Sequence, residues 1–145
     1  MRLTLCSTLL ALTAAQAVWA QTDAAAMAAR EPGAVVTATG LVYRSLKEGD
    51  GPSPAASDKV RVHYRGTFPD GREFDSSYSR NEPAEFPLDK VIKCWTEGVQ
   101  RMKVGGKAKL TCPAPIAYGE KGAGGVIPPN ATLQFEVELL GIAGR

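Results

Sequence analysis

The chain has 145 residues, of which 44% are hydrophobic and 22% are charged, and its formal net charge at pH 7 is +2. This length and this ordinary composition predict a single globular domain. The small net charge gives no reason to expect nucleic acid or an anionic membrane as a partner.

The first twenty residues have the pattern of a secretory signal peptide. Arg2 supplies the positive start, residues 3–15 form an apolar stretch, and residues 18–20 (Val-Trp-Ala) form a small-residue cleavage site. The stretch is shorter than the roughly 20 residues of a membrane-spanning helix, although an uncleaved anchor is the alternative. Cys6 does not follow this stretch, which does not fit a lipoprotein. We therefore expect cleavage near Ala20 and a periplasmic or secreted protein with no membrane contact after cleavage.

The chain after the signal peptide divides into a leader and a domain. Residues 21–38 are rich in alanine without a sustained apolar period, so we expect a flexible leader with at most a short helix. The domain is predicted to occupy residues 39–145. Its first strand is expected within residues 41–46, where apolar and polar residues alternate loosely, and residues 48–58 have the composition of a turn-rich loop.

The next part of the domain has the pattern of antiparallel strands. Residues 60–66 alternate strictly and predict a half-buried strand. Asp70 and Gly71 form a strong turn signal before a partner segment. Residues 76–83 form a polar loop, and residues 86–88 are expected to be extended because proline disfavours helix in the residue before it.

A single helix pattern and two further strands complete the domain. Trp95, Val99 and Met102 fall on one helical face, and the glycines at 105 and 106 end the pattern. Strands are expected over residues 108–112 and 132–140. One helix cannot supply the crossovers of a parallel sheet, so the pattern predicts an α+β fold in which the helix packs on one face of an antiparallel sheet.

Two cysteines, Cys94 and Cys112, remain after removal of the signal peptide. In an oxidising compartment they could form a disulfide that closes a loop of about 18 residues. Two buried free thiols are the alternative. A metal site is not expected, because His63 is the only histidine and two cysteines cannot complete a tetrahedral ligand set.

The sequence lacks the motifs of several common enzyme classes. Gly105, Gly106 and Lys107 do not have the spacing of a phosphate-binding loop, and Ala108 stands where Ser or Thr is required. The glycines of residues 119–125 lead to a strand rather than to a helix, unlike those of a dinucleotide site. A Ser-His-Asp triad would need His63, which alternates to the solvent-facing side of its strand.

Residues 117–140 suggest a hydrophobic site with an adjustable wall. A tyrosine leads into a glycine-rich loop with an apolar tip, and the loop returns to a strand through two prolines. Other aromatic side chains fall on or beside inward-facing positions, and such side chains alone more often form core than site. These aromatic residues are Tyr64, Phe74, Phe86, Trp95, Tyr118 and Phe135.

Six sequence blocks in fixed order make the pattern specific. They are VHYRG (62–66), DGREFDSS (70–77), FPLDKVI (86–92), WTEGVQRMKVGGKAKL (95–110), AYGEKGAGGVIPPNATL (117–133) and FEVELL (135–140). With these blocks the chain resembles the FKBP-type peptidyl-prolyl cis-trans isomerases from about Thr39 to Ile142. The resemblance implies a bent antiparallel sheet of five to six strands wrapped around one short helix.

The resemblance also implies a site in the cleft between helix and sheet. Trp95 is expected as its floor, the Tyr118 hydroxyl and the Ile92 backbone N–H as donors to substrate carbonyls, and Asp75 as the carboxylate beside the twisting amide. Ile127 is expected at the rim. The remaining walls are expected from Tyr64, Phe74, Phe86, Val91, Ile92 and Phe135, with Asp75, Tyr118, Phe135 and Tyr64 as the catalytic set.

The implied function is isomerisation of X–Pro bonds in folding exported proteins, without a cofactor or a metal. The alternative is a low-turnover chaperone or scaffold module that binds proline-containing peptides. Expected partners are proline-containing segments of unfolded or folding proteins, and tacrolimus- or rapamycin-type macrolides. The chain lacks the long helical dimerisation arm of some secreted bacterial members, so a monomer is expected. Ala84 and Cys94 depart from residues common in the family, and the position of Cys94 makes a disulfide to Cys112 plausible.

Overall fold

The computed structural model describes residues 24–143. Residues 24–29 are helical (α1), and the second helix, α2, spans Lys93–Gln100. Two 3₁₀ turns lie at Leu88–Lys90 and Ala114–Ile116. The strands are β1 (Ala34–Val36), β2 (Val42–Lys47), β3 (Lys59–Thr67), β4 (Glu73–Ser76), β5 (Ala84–Pro87), β6 (Lys107–Cys112) and β7 (Leu133–Ile142).

The strands form one antiparallel sheet in the order β1-β2-β6-β7-β3-β4, with β5 also paired to β3. One edge of β3 therefore pairs along its length with β7, and the other edge is shared by β5 and β4. Strand β7 lies inside the sheet, because it pairs with β6 on one edge and with β3 on the other. Its residues alternate between buried and half-buried, which places the apolar side chains on the helix side.

Helix α2 packs on the face of the sheet that carries these apolar side chains. Trp95 and Val99 of the helix are buried against Leu110 of β6 and against β3 and β7. Gly98 permits the close approach, because a Cβ atom there would lie 2.8 Å from a Leu110 methyl carbon. The predicted α+β architecture of an antiparallel sheet with one packed helix is confirmed.

The segment expected to be a flexible leader contributes strand β1 to the sheet. The sheet therefore has seven strands instead of the expected five to six. Strand β1 pairs with β2 at the edge of the sheet. Glu31 anchors this segment through ion pairs with Arg44 (2.6 Å) and Lys109 (2.7 Å), and both cations lower the pKa of its carboxyl. The leader resembled a linker in sequence because its alanine-rich stretch has no sustained apolar period.

Other expectations fall outside the described residues or differ in detail. The predicted signal peptide, residues 1–20, lies outside them. Within residues 24–143, no helix is long and apolar enough to cross a membrane, and no group of three or more His, Cys, Asp or Glu side chains is placed to hold a metal ion. His63 is on the expected face of β3, but it is half-buried because Tyr78 stacks on it at 4.6 Å between ring centroids.

The two cysteines are joined by a disulfide between the start of α2 and the end of β6. Their Cα atoms are 5.9 Å apart, and both side chains are fully buried. The bridge therefore ties the helix to the sheet next to Trp95. Of the two alternatives for Cys94 and Cys112, the structure contains the disulfide.

We predict that the Cys94–Cys112 bridge persists in the purified protein and stabilises it. Reduction should lower the free energy of unfolding by about 3 kcal/mol, because the bridge closes a loop with a sequence separation of 18. Urea unfolding with and without reductant measures this difference. Thiol labelling of unfolded, unreduced protein followed by peptide mapping is the control, and labelled peptides containing Cys94 and Cys112 would contradict the bridge.

Candidate functional site

A cleft of about 450 Å³ lies where α2 and the preceding turn face the sheet. It is mostly apolar, as small-ligand sites usually are. Nine of the predicted site residues line it together, and they come from five separate segments of the chain. The lining consists of Tyr64, Phe74, Asp75, Phe86, Lys90, Val91, Ile92, Trp95, Tyr118 and Phe135.

Trp95 forms the floor of this cleft. The indole is 4% exposed and meets three other rings edge-on, at centroid distances of 5.3 Å to Tyr64, 5.6 Å to Phe86 and 5.5 Å to Phe135. Edge-to-face contacts of this kind add about 0.5–1.5 kcal/mol each beyond the area they bury. The floor is therefore held by the walls themselves, and its position is fixed before any ligand enters.

A glycine on β3 allows two walls of the cleft to meet. Phe74 and Phe135 contact each other edge-on at 5.6 Å, and Gly66 lies beneath both rings. A Cβ atom at this position would lie 2.6 Å from Phe74 and 3.0 Å from Phe135. Gly66 pairs with Phe135 across the β3–β7 ladder, so its missing side chain leaves room for the Phe135 ring.

The polar end of the cleft is a network of three side chains. The Tyr64 hydroxyl donates to Asp75 Oδ2 at 2.5 Å, and Arg80 donates to Asp75 Oδ1 at 2.6 Å and to the Tyr64 hydroxyl oxygen at 3.0 Å. Burial opposes ionisation of Asp75, but these two donors outweigh it and hold the pKa of the carboxyl below its usual value. Burial and the bond to Asp75 raise the pKa of Tyr64. Asp75 is therefore an ionised carboxylate whose charge is already matched by Arg80.

A buried serine supports this network from behind. Ser77 Oγ accepts a hydrogen bond from the Tyr64 backbone N–H at 2.7 Å, and it lies 2.8 Å from His63 Nδ1. His63 is not among the residues that line the cleft. In the described structure its ring forms a hydrogen bond with Ser77 outside the cleft. No Ser-His-Asp triad therefore lies at the site within the described residues.

Two donors face the cleft without partners that would occupy them. Tyr118 is 40% exposed, and its hydroxyl makes no hydrogen bond with the residues that the structure describes. Ile92 is the N-cap residue of α2, so its N–H is not needed by the hydrogen bonds of the helix. Both groups were expected as donors, and both lie in the lining.

In the loop after Tyr118, the Ile127 side chain does not lie at the rim of the cleft, where it was expected. Ile127 is buried, at 6% exposed, and packs in the core rather than in the cleft lining, whereas its neighbour Val126 is 56% exposed. Ala123 and Ile127 exchange two backbone hydrogen bonds, which turns the Ile127 side chain inward. Gly122 permits this closure, because its φ is +66° and a Cβ atom would lie 2.2 Å from the Ile127 carbonyl oxygen.

Sequence reasoning missed Arg80 and Lys90. Arg80 belongs to the polar loop between β4 and β5, and spacing alone gives no sign that this loop returns to Asp75. Lys90 precedes Val91 and Ile92 directly and lines the cleft with them. Its position in the FPLDKVI block (86–92) was the available signal. It was missed because a lysine in a turn is usually only a solvent-exposed charge.

A family model described as FKBP-type peptidyl-prolyl cis-trans isomerase matches residues 51–140, which include every residue of the cleft. The chain belongs to this family. Members of the family bind proline-containing peptides and macrolides. The family assignment agrees with the resemblance of the six sequence blocks.

Curated relatives and solved structures support the assignment. The chain is 53% identical over 114 residues to the FKBP-type isomerase FkpA of Escherichia coli K12, which covers 79% of this chain and 42% of the relative. It is similar to the crystal structure of E. coli FkpA, with a TM-score of 0.85 and 47% identity, covering 89% of this chain and 60% of that one.

The chain is also similar to the crystal structure of a peptidyl-prolyl cis-trans isomerase from Pseudomonas syringae, with a TM-score of 0.82 and 38% identity. The match covers 90% of this chain and 96% of that one. The chain thus spans less than half the length of curated FkpA but nearly the full length of the Pseudomonas structure. The similarity concerns the fold and the domain that carries the cleft.

We predict that Gly66→Ala destabilises the protein by about 1–3 kcal/mol, because the added methyl group forces apart the rings of Phe74 and Phe135. Urea unfolding measures the loss. Gly141→Ala is the matched control, since it makes the same change on β7 where no atom lies within 4 Å of the new carbon. Equal stability of the two variants would contradict the close packing at Gly66.

We also predict that Arg80→Gln raises the pKa of Asp75. Asp75 has a lower pKa in the folded protein than in the unfolded chain, so its contribution to stability is present above the unfolded pKa and is lost as pH falls through the folded pKa. Removal of Arg80 moves that loss to higher pH. NMR titration of the Asp75 carboxyl carbon measures the shift.

Arg72→Gln is the control for this titration, because Arg72 forms an exposed ion pair with Asp70 at 2.7 Å and makes no contact with Asp75. Its Asp75 titration should match that of the wild type. An unchanged midpoint in Arg80→Gln would contradict the contribution of Arg80 to the pKa of Asp75.

Proposed function

We propose that this protein is a peptidyl-prolyl cis-trans isomerase that acts on proline-containing segments of folding exported proteins. The observation that carries the proposal is the cleft itself: an aromatic floor and walls, with two unoccupied donors at its edge and a matched carboxylate at its polar end. No nucleophile or metal is needed, because isomerisation breaks no covalent bond.

The barrier to be lowered comes from amide resonance. Rotation about a peptide bond costs about 18–20 kcal/mol, and X–Pro bonds isomerise unaided in tens to hundreds of seconds. A twisted amide has less charge separation than a planar one, so an apolar cleft that excludes water favours the twisted state. A ten-thousandfold acceleration needs only about 5.5 kcal/mol of differential binding.

The chain's residues suit distinct parts of this task. The face of Trp95 can receive the prolyl ring, and the rings of Phe74, Phe86 and Phe135 surround it. The Tyr118 hydroxyl and the Ile92 N–H can hold neighbouring carbonyls in a turn-like geometry. Asp75 places a negative charge at the polar end of the cleft, and the hydrogen bonds from Tyr64 and Arg80 hold its carboxylate in position.

The alternative function is a binding module with little turnover, which would use the same apolar cleft to hold proline-containing segments. The matched network around Asp75 favours an isomerase, because simple apolar binding does not need an ionised carboxylate at the wall. Tacrolimus- and rapamycin-type macrolides are proposed as further ligands of the cleft.

A periplasmic or secreted location is part of the proposal. Its support is the signal pattern of residues 1–20 together with the buried Cys94–Cys112 bridge, since disulfides persist mainly in oxidising compartments. We propose a monomer for the described domain.

The test is a protease-coupled assay with an Ala-Leu-Pro-Phe peptide. The protein should accelerate isomerisation well above background. Tyr118→Phe should lower kcat/KM about three- to tenfold, because it removes one hydrogen bond worth about 0.5–1.5 kcal/mol.

Tyr78→Phe is the matched control: Tyr78 is 39% exposed, its hydroxyl donates to Glu138 at 3.0 Å, and it does not line the cleft. Background rates for the wild type, together with saturable peptide binding, would instead favour the binding module. Equal losses in the two tyrosine variants would contradict the role given to Tyr118.

A further inference from the structure

Of the two charged side chains that line the cleft, one has an ion-pair partner among the described residues and the other has none. Only two lining residues are charged side chains, Asp75 and Lys90. Asp75 is neutralised in place by Arg80 and is further bonded by the Tyr64 hydroxyl and the Ser76 N–H. Lys90 is exposed and makes no ion pair or hydrogen bond with any residue of the described chain. The cleft therefore presents one unmatched charge, and that charge is positive.

The surroundings of Lys90 do not cancel this charge. Its sequence neighbour Asp89 is exposed, is not in the lining and forms no ion pair with Lys90 among the described residues. The next residues, Val91 and Ile92, are apolar and lead into α2, whose first turn contains no acidic side chain. A peptide that lies along Val91 and Ile92 therefore passes the Lys90 ammonium group.

We propose that Lys90 is a specificity-determining residue that favours protein segments with an acidic side chain next to the X–Pro unit. The inference rests on the proposed function, since it names the substrate class of the same cleft. The X and Pro side chains themselves face aromatic walls, so the acidic group belongs to a residue flanking the pair. There it remains near solvent and within reach of the flexible lysine, without the cost of burying a charge.

The expected effect is modest, because exposed ion pairs are weak and are screened by salt. At low ionic strength a glutamate next to X–Pro should improve kcat/KM about threefold over glutamine. A lysine there should lower it by a similar factor. Such a preference would bias the protein among many clients without excluding any of them.

The experiment uses acetylated and amidated peptides, so that the ends carry no charge. One series is Xaa-Leu-Pro-Phe-Ala and the other Ala-Leu-Pro-Xaa-Phe, with Glu, Gln or Lys as Xaa. Exchange NMR measures the isomerisation rate, and chemical-shift titration of the same samples measures Kd. At one of the two positions the wild type should favour Glu over Gln over Lys.

Three variants decide the assignment. Lys90→Gln should remove the preference, and Lys90→Glu should reverse it. Lys47→Gln makes the same change in net charge at an exposed lysine outside the cleft and should keep the preference. Addition of about 0.5 M salt should abolish it.

Equal values for Glu, Gln and Lys at both positions in the wild type would overturn the inference. So would a preference that survives in Lys90→Gln or disappears in Lys47→Gln. If no peptide is isomerised, the proposed function fails, and the Kd series still decides whether Lys90 selects acidic segments.

Discussion

The packing of one indole between a helix and three rings is the constraint on which the rest of the site depends. Trp95 belongs to the first turn of α2, yet its ring is held edge-on by residues of β3, β5 and β7. The neighbouring Cys94 ties the same turn to β6. Helix, sheet and cleft are thus positioned by adjacent residues, so the floor cannot move without disturbing the core.

The sequence predicted much of this arrangement, and it did so wherever a local pattern and burial agree. Strict alternation in β3 and β7 marked which side chains face the helix, and the spacing of Trp95, Val99 and Met102 marked the face that meets them. The resemblance to a family then brought together side chains from separate segments, which periodicity alone could not do. Of the predicted cleft residues, only Ile127 lies elsewhere.

What the sequence did not predict depends on where loops return and on single charged contacts. Strand β1 pairs with β2, and the segment before it is tied to the sheet by the ion pairs of Glu31. Glu31 is an isolated acidic residue in an alanine-rich segment, and no apolar periodicity precedes it. Arg80 reaches Asp75 only because its loop folds back over β4. Ile127 and Val126 are adjacent and equally apolar. Which of them faces inward is decided by the hydrogen bonds between Ala123 and Ile127, which depend on the conformation of Gly122.

The inward turn of Ile127 changes what the glycine-rich loop can do for the cleft. A loop tied by backbone hydrogen bonds and by a buried isoleucine presents Tyr118 from a fixed base. The Gly119 N–H donates to the Ala114 carbonyl oxygen, and the Gly122 N–H donates to the carbonyl oxygen of Tyr118 itself. Its exposed apolar group is Val126, which lies outside the lining. If side chains of the cleft lining discriminate between substrates, they must be side chains that can move without loss of core packing. An exposed lysine on a short turn meets that condition, whereas the buried aromatic walls do not.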